Sequence, residues 1–357
     1  MYNPLAADLD HILTHTWGVW EELEGARIFV TGGTGFFGCW LLEAFARACD
    51  EKQLDATMTV LTRRPEAFHD KAPHLAGHRA IRLIEGDVRS FAFPMGRYTH
   101  VIHGATEASE QLNREQPQLM LDTIVNGTRR TLEFAVAAGV RRFLLISSGA
   151  IYGPQPHGME RIPEKYRGGP ALTDARSAYG EGKRVAELWG ALYAQAHGLD
   201  VLMARGFAFV GPYLPLNTHF AIGNFIGDCL EERPIKVRGD GRPYRSYLYA
   251  ADLAIWLWTI LARGQSCRPY NVGSEEAVSI AELASTVQEA LGAKPQVDIA
   301  GVQRRGVSGE RYVPDTTRAR QELGLEQWIA LEEAIRKTAV WHMIQGRAPA
   351  VYSEALA

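Results

Sequence analysis

The sequence predicts an α/β fold: a doubly wound parallel sheet with a smaller C-terminal α/β lobe. Three observations predict it. Short apolar runs of strand length alternate with helical runs up to about residue 200, the pattern that builds βαβ units. Gly32, Gly35 and Gly38 stand between the first strand and its helix, where an open parallel sheet places a phosphate-binding turn. The 357 residues, 46% of them hydrophobic, suffice for one large or two coupled domains.

The elements follow in order. Residues 1–25 hold "AADLDHILTHTWGVWEELEG", whose apolar spacing predicts an N-terminal helical extension ending near Gly25. A nucleotide-binding region spans 26–200. In it "RIFVT" is a buried strand, "CWLLEAFARACD" a helix and "ATMTVLT" a second strand. "AIRLIEGDV", "THVIHGAT" and "RRFLLISS" are further strands, and "TIVNGTRRTLEFAVAAG" is a helix among them. Residues 201–345 read as mixed. Their first run, within "LDVLMARGFAFVG", helps complete the sheet, and the Pro- and aromatic-rich remainder forms a substrate lobe. "LAIWLWTILA", Leu253 to Ala262, is too short to span a bilayer and fits a buried helix. Residues 346–357 form a tail without a clear pattern. No internal repeat or low-complexity run is visible.

Composition narrows the function. A formal net charge of −3 argues against a nucleic-acid partner. Cys39, Cys49, Cys229 and Cys267 form no C-x-x-C, and no histidine stands at metal-ligand spacing. They read as reduced thiols of a cytoplasmic protein, with no metal site. The first residues carry acids and no long apolar core, so neither a signal peptide nor a membrane anchor is expected.

Two motifs carry chemistry. In "RIFVTGGTGFFGCWLLEAF" the glycines let the backbone turn tightly and approach a pyrophosphate at the positive end of a helix. In "SAYGEGKR" Tyr179 and Lys183 are one helical turn apart, separated by Gly180 and Gly182. Each of those glycines costs a helix interior about 1 kcal/mol relative to alanine. The pair by itself admits two readings: a lysine snorkelling over a ring, or an acid/base with its electrostatic partner.

The chain resembles an extended short-chain dehydrogenase/reductase of the branch of NAD(P)-dependent nucleotide-sugar epimerases and dehydratases. The resemblance covers roughly residues 27–342. It rests on "TGGTGFFG", "GDV" at Gly86–Val88, "VIHGAT" at Val101–Thr106, "NGT" at Asn126–Thr128, "SSGAIYG" at Ser147–Gly153, "YGEGK" and "YRSYLYAADLA", in the family's order. It implies a Rossmann fold over 26–200. It further implies that Tyr179 is the acid/base, that Lys183 holds the nicotinamide ribose, and that Ser148 shares the reacting hydroxyl. Ser147 ranks second to Ser148, because strand alternation points it to the other face. A free phenol has a pKa of about 10, and an ammonium and a cationic nicotinamide lower it. Gly180 and Gly182 then keep bulk away where sugar and cofactor approach Tyr179. The implied cofactor contacts are Gly32, Gly35, Phe36, Phe37, Gly38, Asp87, Val88, Gly104, Ala105 and Thr106, with Asp87 at the adenine.

The cofactor is NADP or NAD. Relatives that use NAD carry an acid after the second strand for the ribose 2′-hydroxyl. This chain has Thr62, Arg63 and Arg64, and paired guanidinium groups suit a 2′-phosphate, which favours NADP. On the sugar-nucleotide side the resemblance places Arg245 on the diphosphate and Asn224 near it. One segment departs from the family: "RGFAFVGP" has Ala208 for an asparagine and Val210 for an aromatic. A second departure bears on the reaction. Dehydratases carry an Asp-Glu pair where this chain has Gly149 and Ala150, and decarboxylases keep a glutamate there. Hydride chemistry at sugar C4 remains, which implies an epimerase. An NADPH-dependent 4-ketoreductase, a dehydratase using Glu107, a small-ketone reductase and a non-catalytic cofactor-binding protein are the alternatives. Thr106 and Glu107 are placed at the nicotinamide and sugar end. The resemblance also implies a homodimer built on a four-helix bundle.

Overall fold

A computed structural model describes residues 3–106, 110–218, 220–293, 296–301 and 309–346. Its main sheet contains β1 (Arg27–Thr31), β2 (Thr57–Thr62), β3 (Ile81–Glu85), β4 (His100–His103), β5 (Arg142–Ser148), β6 (Asp200–Gly206) and β7 (Pro269–Val272). The order across the sheet is β7-β6-β5-β4-β1-β2-β3, and every pairing is parallel. After β3 the chain crosses back to the other side of β1. The winding therefore reverses between β1 and β4, and a crevice opens beyond their carboxyl ends.

Strand alternation divides the core into two layers. Ile28, Val30, Leu144 and Ile146 face one layer, built on α1 (Ala6–His15), α2 (Phe36–Lys52) and the helix Ala250–Arg263. Phe29, Phe143 and Leu145 face the other, packed under α3 (Pro117–Ala137) and α4 (Ala178–His197). Both faces of the sheet are covered at its centre, so strands such as β1 and β5 read as near-continuous apolar runs.

The N-terminal extension differs from the single helix expected. It breaks at Gly18, whose φ of +80° is left-handed, and resumes as the short helix Val19–Glu22. A Cβ at Gly18 would lie 2.6 Å from Arg263 Nη2, which also donates to the Trp17 carbonyl oxygen at 3.1 Å. The extension is part of the core. Trp20 packs on Trp258 at 4.9 Å. The buried Asp8 carboxylate accepts from the Tyr249 hydroxyl at 2.7 Å and from Lys337 Nζ at 2.9 Å. Asp252 receives His11 Nε2 on one oxygen and the Trp328 and Ile329 N–H groups on the other, all at 3.0 Å.

Beyond β6 the chain builds a small three-stranded sheet next to the main one. Its middle strand, Tyr244–Arg245, pairs antiparallel with Val278–Ser279 and parallel with Arg311–Tyr312. Among the described residues no helix is long and apolar enough to cross a membrane, and no His/Cys/Asp/Glu cluster could hold a metal. The four cysteines are free thiols; Cys267 is exposed and the other three are buried.

Candidate active site

The glycine turn leaves β1 and enters α2. Gly32 has φ +76°, and a Cβ there would lie 2.5 Å from the Gly104 carbonyl. A Cβ at Gly38 would lie 2.3 Å from Gly33, so Gly38 lets the helix lie against the turn. Gly35 differs. It is the N-cap of α2 in extended backbone, and the nearest atom to a Cβ there is the Gly32 carbonyl oxygen at 3.4 Å. No side chain caps α2, so its first N–H groups face the crevice with the positive end of the helix dipole. Across the crevice the Gly104 N–H donates to Thr31 O at 3.0 Å, Ala105 N–H to Thr31 Oγ1 at 3.2 Å and Thr106 N–H to Gly104 O at 2.8 Å. Phe36 and Phe37 are half-buried, and Phe37 packs edge-on against Phe209 at 4.8 Å. The cradle fits a dinucleotide pyrophosphate: bare backbone donors and open space at Gly35.

At the adenosine end Arg63 and Arg64 are exposed just past β2. Asp87 follows β3, and Arg89 clasps its two carboxylate oxygens at 2.9 Å each while reaching Asp122 at 2.8 Å. The Arg89 contacts, with a smaller contribution from Arg63, hold the Asp87 carboxyl below its usual range. The Val88 side chain is buried, and a Cβ at Gly127 of α3 would meet Val88 Cγ1 at 2.9 Å.

At the other end Ser148, Tyr179 and Lys183 come together. Lys183 is only 4% exposed; its Nζ donates to Ile146 O at 2.8 Å and lies 5.9 Å from the Tyr179 ring centre. Burial pulls the lysine down to about 8, against an opposing pull from Glu187, so it stays mostly protonated at pH 7. His103 beside it is buried, bridges Thr31 and Thr128, and is pulled down to about 3 by burial and by Lys183, which keeps it neutral. Ser147 points to the opposite face, donating to Glu187 Oε1 at 2.6 Å. Ser148 accepts from Ala150 N–H at 3.1 Å.

In the protein alone the Tyr179 phenol is raised by burial, which Ser148 offsets only in part; the expected lowering calls on the cationic nicotinamide as well as Lys183. The expectation about the flanking glycines needs correction, because they are not bare. A Cβ at Gly180 would lie 2.7 Å from Pro170 Cγ and 2.8 Å from the Ala150 carbonyl oxygen, and one at Gly182 3.1 Å from Ile124. They let α4 press against protein, leaving no room there for sugar or cofactor. The start of α4 is instead held by Asn113, whose Oδ1 accepts from Tyr179 N–H at 3.1 Å.

The sugar end contains residues that the sequence did not single out. Tyr312 and Phe207 lie over Gly149: a Cβ there would be 2.7 Å from the Tyr312 hydroxyl and 2.8 Å from Phe207 Cζ. Arg245 neighbours Tyr312 in the small sheet, with its guanidinium 5.8 Å from that ring centre. Arg245 is thus brought to the site. Asn224 lines a cavity of about 770 Å³ with Lys71, Tyr213, Lys236 and Arg238; Ser148, Tyr179 and Arg245 are not among its lining residues. Glu107 lies outside the described residues.

Residues 28–273 match the model of the NAD dependent epimerase/dehydratase family. The chain is 31% identical over 310 residues to UDP-glucuronic acid decarboxylase 6 of Arabidopsis thaliana, covering 87% of this chain and 86% of that protein. UDP-glucuronic acid decarboxylase 1 of Xenopus tropicalis is 29% identical, over 89% of this chain and 72% of its own. Among solved structures, dTDP-glucose 4,6-dehydratase from Streptomyces venezuelae, with NAD and TYD bound, superposes with a TM-score of 0.77 at 24% identity, over 93% of this chain and 100% of that one. UDP-glucose 4-epimerase of Thermus thermophilus, in complex with NAD, does so at 0.73 and 26%, over 89% and 99%. The glycine cradle, the Ser148-Tyr179-Lys183 group and these matches place the chain in the NAD-dependent epimerase/dehydratase family of extended short-chain dehydrogenase/reductase enzymes.

Proposed function

We propose that the protein is a nucleotide-diphosphate-sugar epimerase acting at C4 of the sugar. The observation that carries this reading is the closure of position 149. The family's dehydratases place acids at 149 and 150. Here Tyr312 and Phe207 fill the first place and the second is the Ala150 methyl, so neither position supplies a carboxylate beside Ser148 to remove water. What remains suits oxidation and reduction of one hydroxyl. NAD or NADP in the crevice supplies the hydride acceptor and donor. Tyr179 takes the proton of the C4 hydroxyl as the carbon is oxidised to a ketone, and returns it when the ketone is reduced from its other face. Lys183 supplies the nearby positive charge that a phenolate needs, and Ser148 holds the oxygen as it changes between alcohol and ketone. Arg245 grips the diphosphate by its planar fork.

The relatives support a second reading, because several are named UDP-glucuronic acid decarboxylases. A uronate oxidised at C4 is a β-keto acid and loses carbon dioxide without a further acid. A panel of UDP-, GDP-, CDP- and dTDP-sugars that includes UDP-glucuronate, followed by mass spectrometry and NMR, separates the two. An isomer of unchanged mass is expected; loss of carbon dioxide from the uronate would replace the epimerase reading with the second.

Arg63 and Arg64 favour NADP over NAD. Replacing both with Ser should weaken NADP binding by roughly 1–3 kcal/mol for each charge-assisted hydrogen bond removed, and leave NAD nearly unchanged. Equal weakening of both cofactors in a titration would remove the pair from the 2′-phosphate. Leu121 and Val136 on α3, with Leu188 and Leu192 on α4, remain exposed and support a homodimer that pairs these helices. Sedimentation as a monomer would refute it.

A further inference from the structure

Tyr179, Lys183 and Glu187 stand four apart on α4 and share one face of the helix. The proposed reaction uses only the first two. Glu187 is nevertheless held by three donors. Its Oε1 accepts from Ser147 Oγ at 2.6 Å and from Arg205 Nε at 3.0 Å, and its Oε2 accepts from Arg205 Nη2 at 2.7 Å. The Glu187 and Arg205 side chains are only 11% and 12% exposed. Ser147, Arg205 and Asn271 are aligned partners on β5, β6 and β7. Arg205 Nη1 also donates to the Tyr152 hydroxyl at 2.8 Å, which donates to Asn271 Oδ1 at 2.7 Å. The carboxylate is therefore tied back to the sheet. It sits beside Ile146, whose carbonyl oxygen accepts from Lys183 Nζ at 2.8 Å.

We infer that Glu187 is a positioning residue for Lys183: tied back by Ser147 and Arg205, its carboxylate faces the ammonium with a negative charge but does not take its protons. An ammonium has three protons to donate. One goes to Ile146 O, and the other two stay available to the cofactor ribose and the Tyr179 oxygen. An untied carboxylate one turn away would capture one of them. Arg205 prevents this, because its fork matches both oxygens of Glu187. The charge still acts across the gap. Lys183 is buried with Tyr179 and Glu187 on its own helix and the neutral His103 of β4 beside it. Among the described residues Glu187 is thus the anion that opposes the cost of burying the ammonium. The same ties fasten α4 to β5 at adjacent residues, Lys183 on Ile146 and Glu187 on Ser147, immediately before Ser148.

The inference rests on Lys183 as the charge beside Tyr179, and the test needs no turnover. In protein isotope-labelled at lysine Cε, the Lys183 NMR resonance is assigned by its loss in Lys183→Met and followed through a pH titration. Glu187→Gln should lower its midpoint by about 1 unit, because the facing charge is gone. Arg205→Met should do the opposite. The released carboxylate pairs with the ammonium, so the midpoint should rise by about 1 unit and NAD binding should weaken about 3- to 10-fold. A role confined to packing would give no such opposed shifts. Glu187→Met combined with Arg205→Met leaves no lone buried charge, and replaces Glu187→Gln if that variant does not fold. Ser147→Ala removes one tie and replaces Arg205→Met on the same terms, with a smaller rise. An unchanged midpoint, or shifts of one sign in both variants, overturns the role of Glu187. If NAD leaves the Lys183 resonance of the parent where it is, the placement of Lys183 at the cofactor falls instead.

Discussion

The two ends of the crevice are built on different physics. The cofactor end is backbone. Gly32 passes Gly104 with no room for a Cβ, Gly35 leaves open space, and the uncapped N–H groups of α2 provide the polarity. The sugar end is made of side chains wholly or partly removed from water: an ammonium 4% exposed, a neutral buried histidine, and two half-buried phenols. The first end is fixed by shape and hardly depends on pH. The second holds groups whose protonation was shifted by burial, so both its reactivity and its contribution to stability follow pH. Shape-based recognition tolerates no added atoms, whereas a desolvated site tolerates isosteres but not lost protons.

The sharpest way to break this contrast is at Gly35. Gly35→Val should abolish NAD binding in calorimetric titration while stability stays within about 0.5 kcal/mol of the parent, since only the Gly32 oxygen is near the new side chain. Retained affinity would mean that the pyrophosphate does not approach here. The next effect belongs to the other end. Tyr179→Phe removes one oxygen and keeps the ring; turnover should fall about 10²–10⁴-fold with little change in nucleotide-sugar affinity. Full activity would end the proposed acid/base role.

The smallest effect sharpens the claim about burial. Lys183 titrates at about 8 when folded, against an ordinary value of 10.5. Below the folded value both folded and unfolded chains hold this proton, and burying the ammonium disfavours folding. Between the two values only the unfolded chain holds it, so stability from this group rises with pH across that window. The full rise is about 3 kcal/mol. Urea unfolding at about pH 7.5 and pH 10 should show the parent gaining on Lys183→Met by about 2–3 kcal/mol. Parallel behaviour would show that the lysine is not desolvated.

The same contrast explains what was legible in the sequence. The cradle is contiguous, so Gly32, Gly35 and Gly38 show it directly, and Tyr179 and Lys183 share one turn of α4. Tyr312 lies far along the chain from Ser148. It reaches the site through a two-residue pairing with Tyr244–Arg245, too short to leave a periodic signal. Gly180 and Gly182 were visible as glycines, but a missing side chain does not reveal whether ligand or protein occupies the space. Gly18 sits inside an apolar periodicity that continues on both sides of it, so the left-handed turn at this glycine leaves no mark on the apolar pattern.

The Asp8 clasp also bears on how the protein is made. Asp8 leaves the ribosome well ahead of its partner Lys337, which lies 329 positions later. The arm carrying Leu9, Ile12 and Trp20 therefore waits through the synthesis of all that lies between, without the surface that finally covers Asp8. Closing such a contact is among the slowest steps a chain can face, because so much must be made and folded first. Until then the apolar face of the arm is a natural client for chaperones. Once the clasp closes, it joins the N-terminal arm to the last described helix, so unravelling from either side has to break the same buried carboxylate contacts.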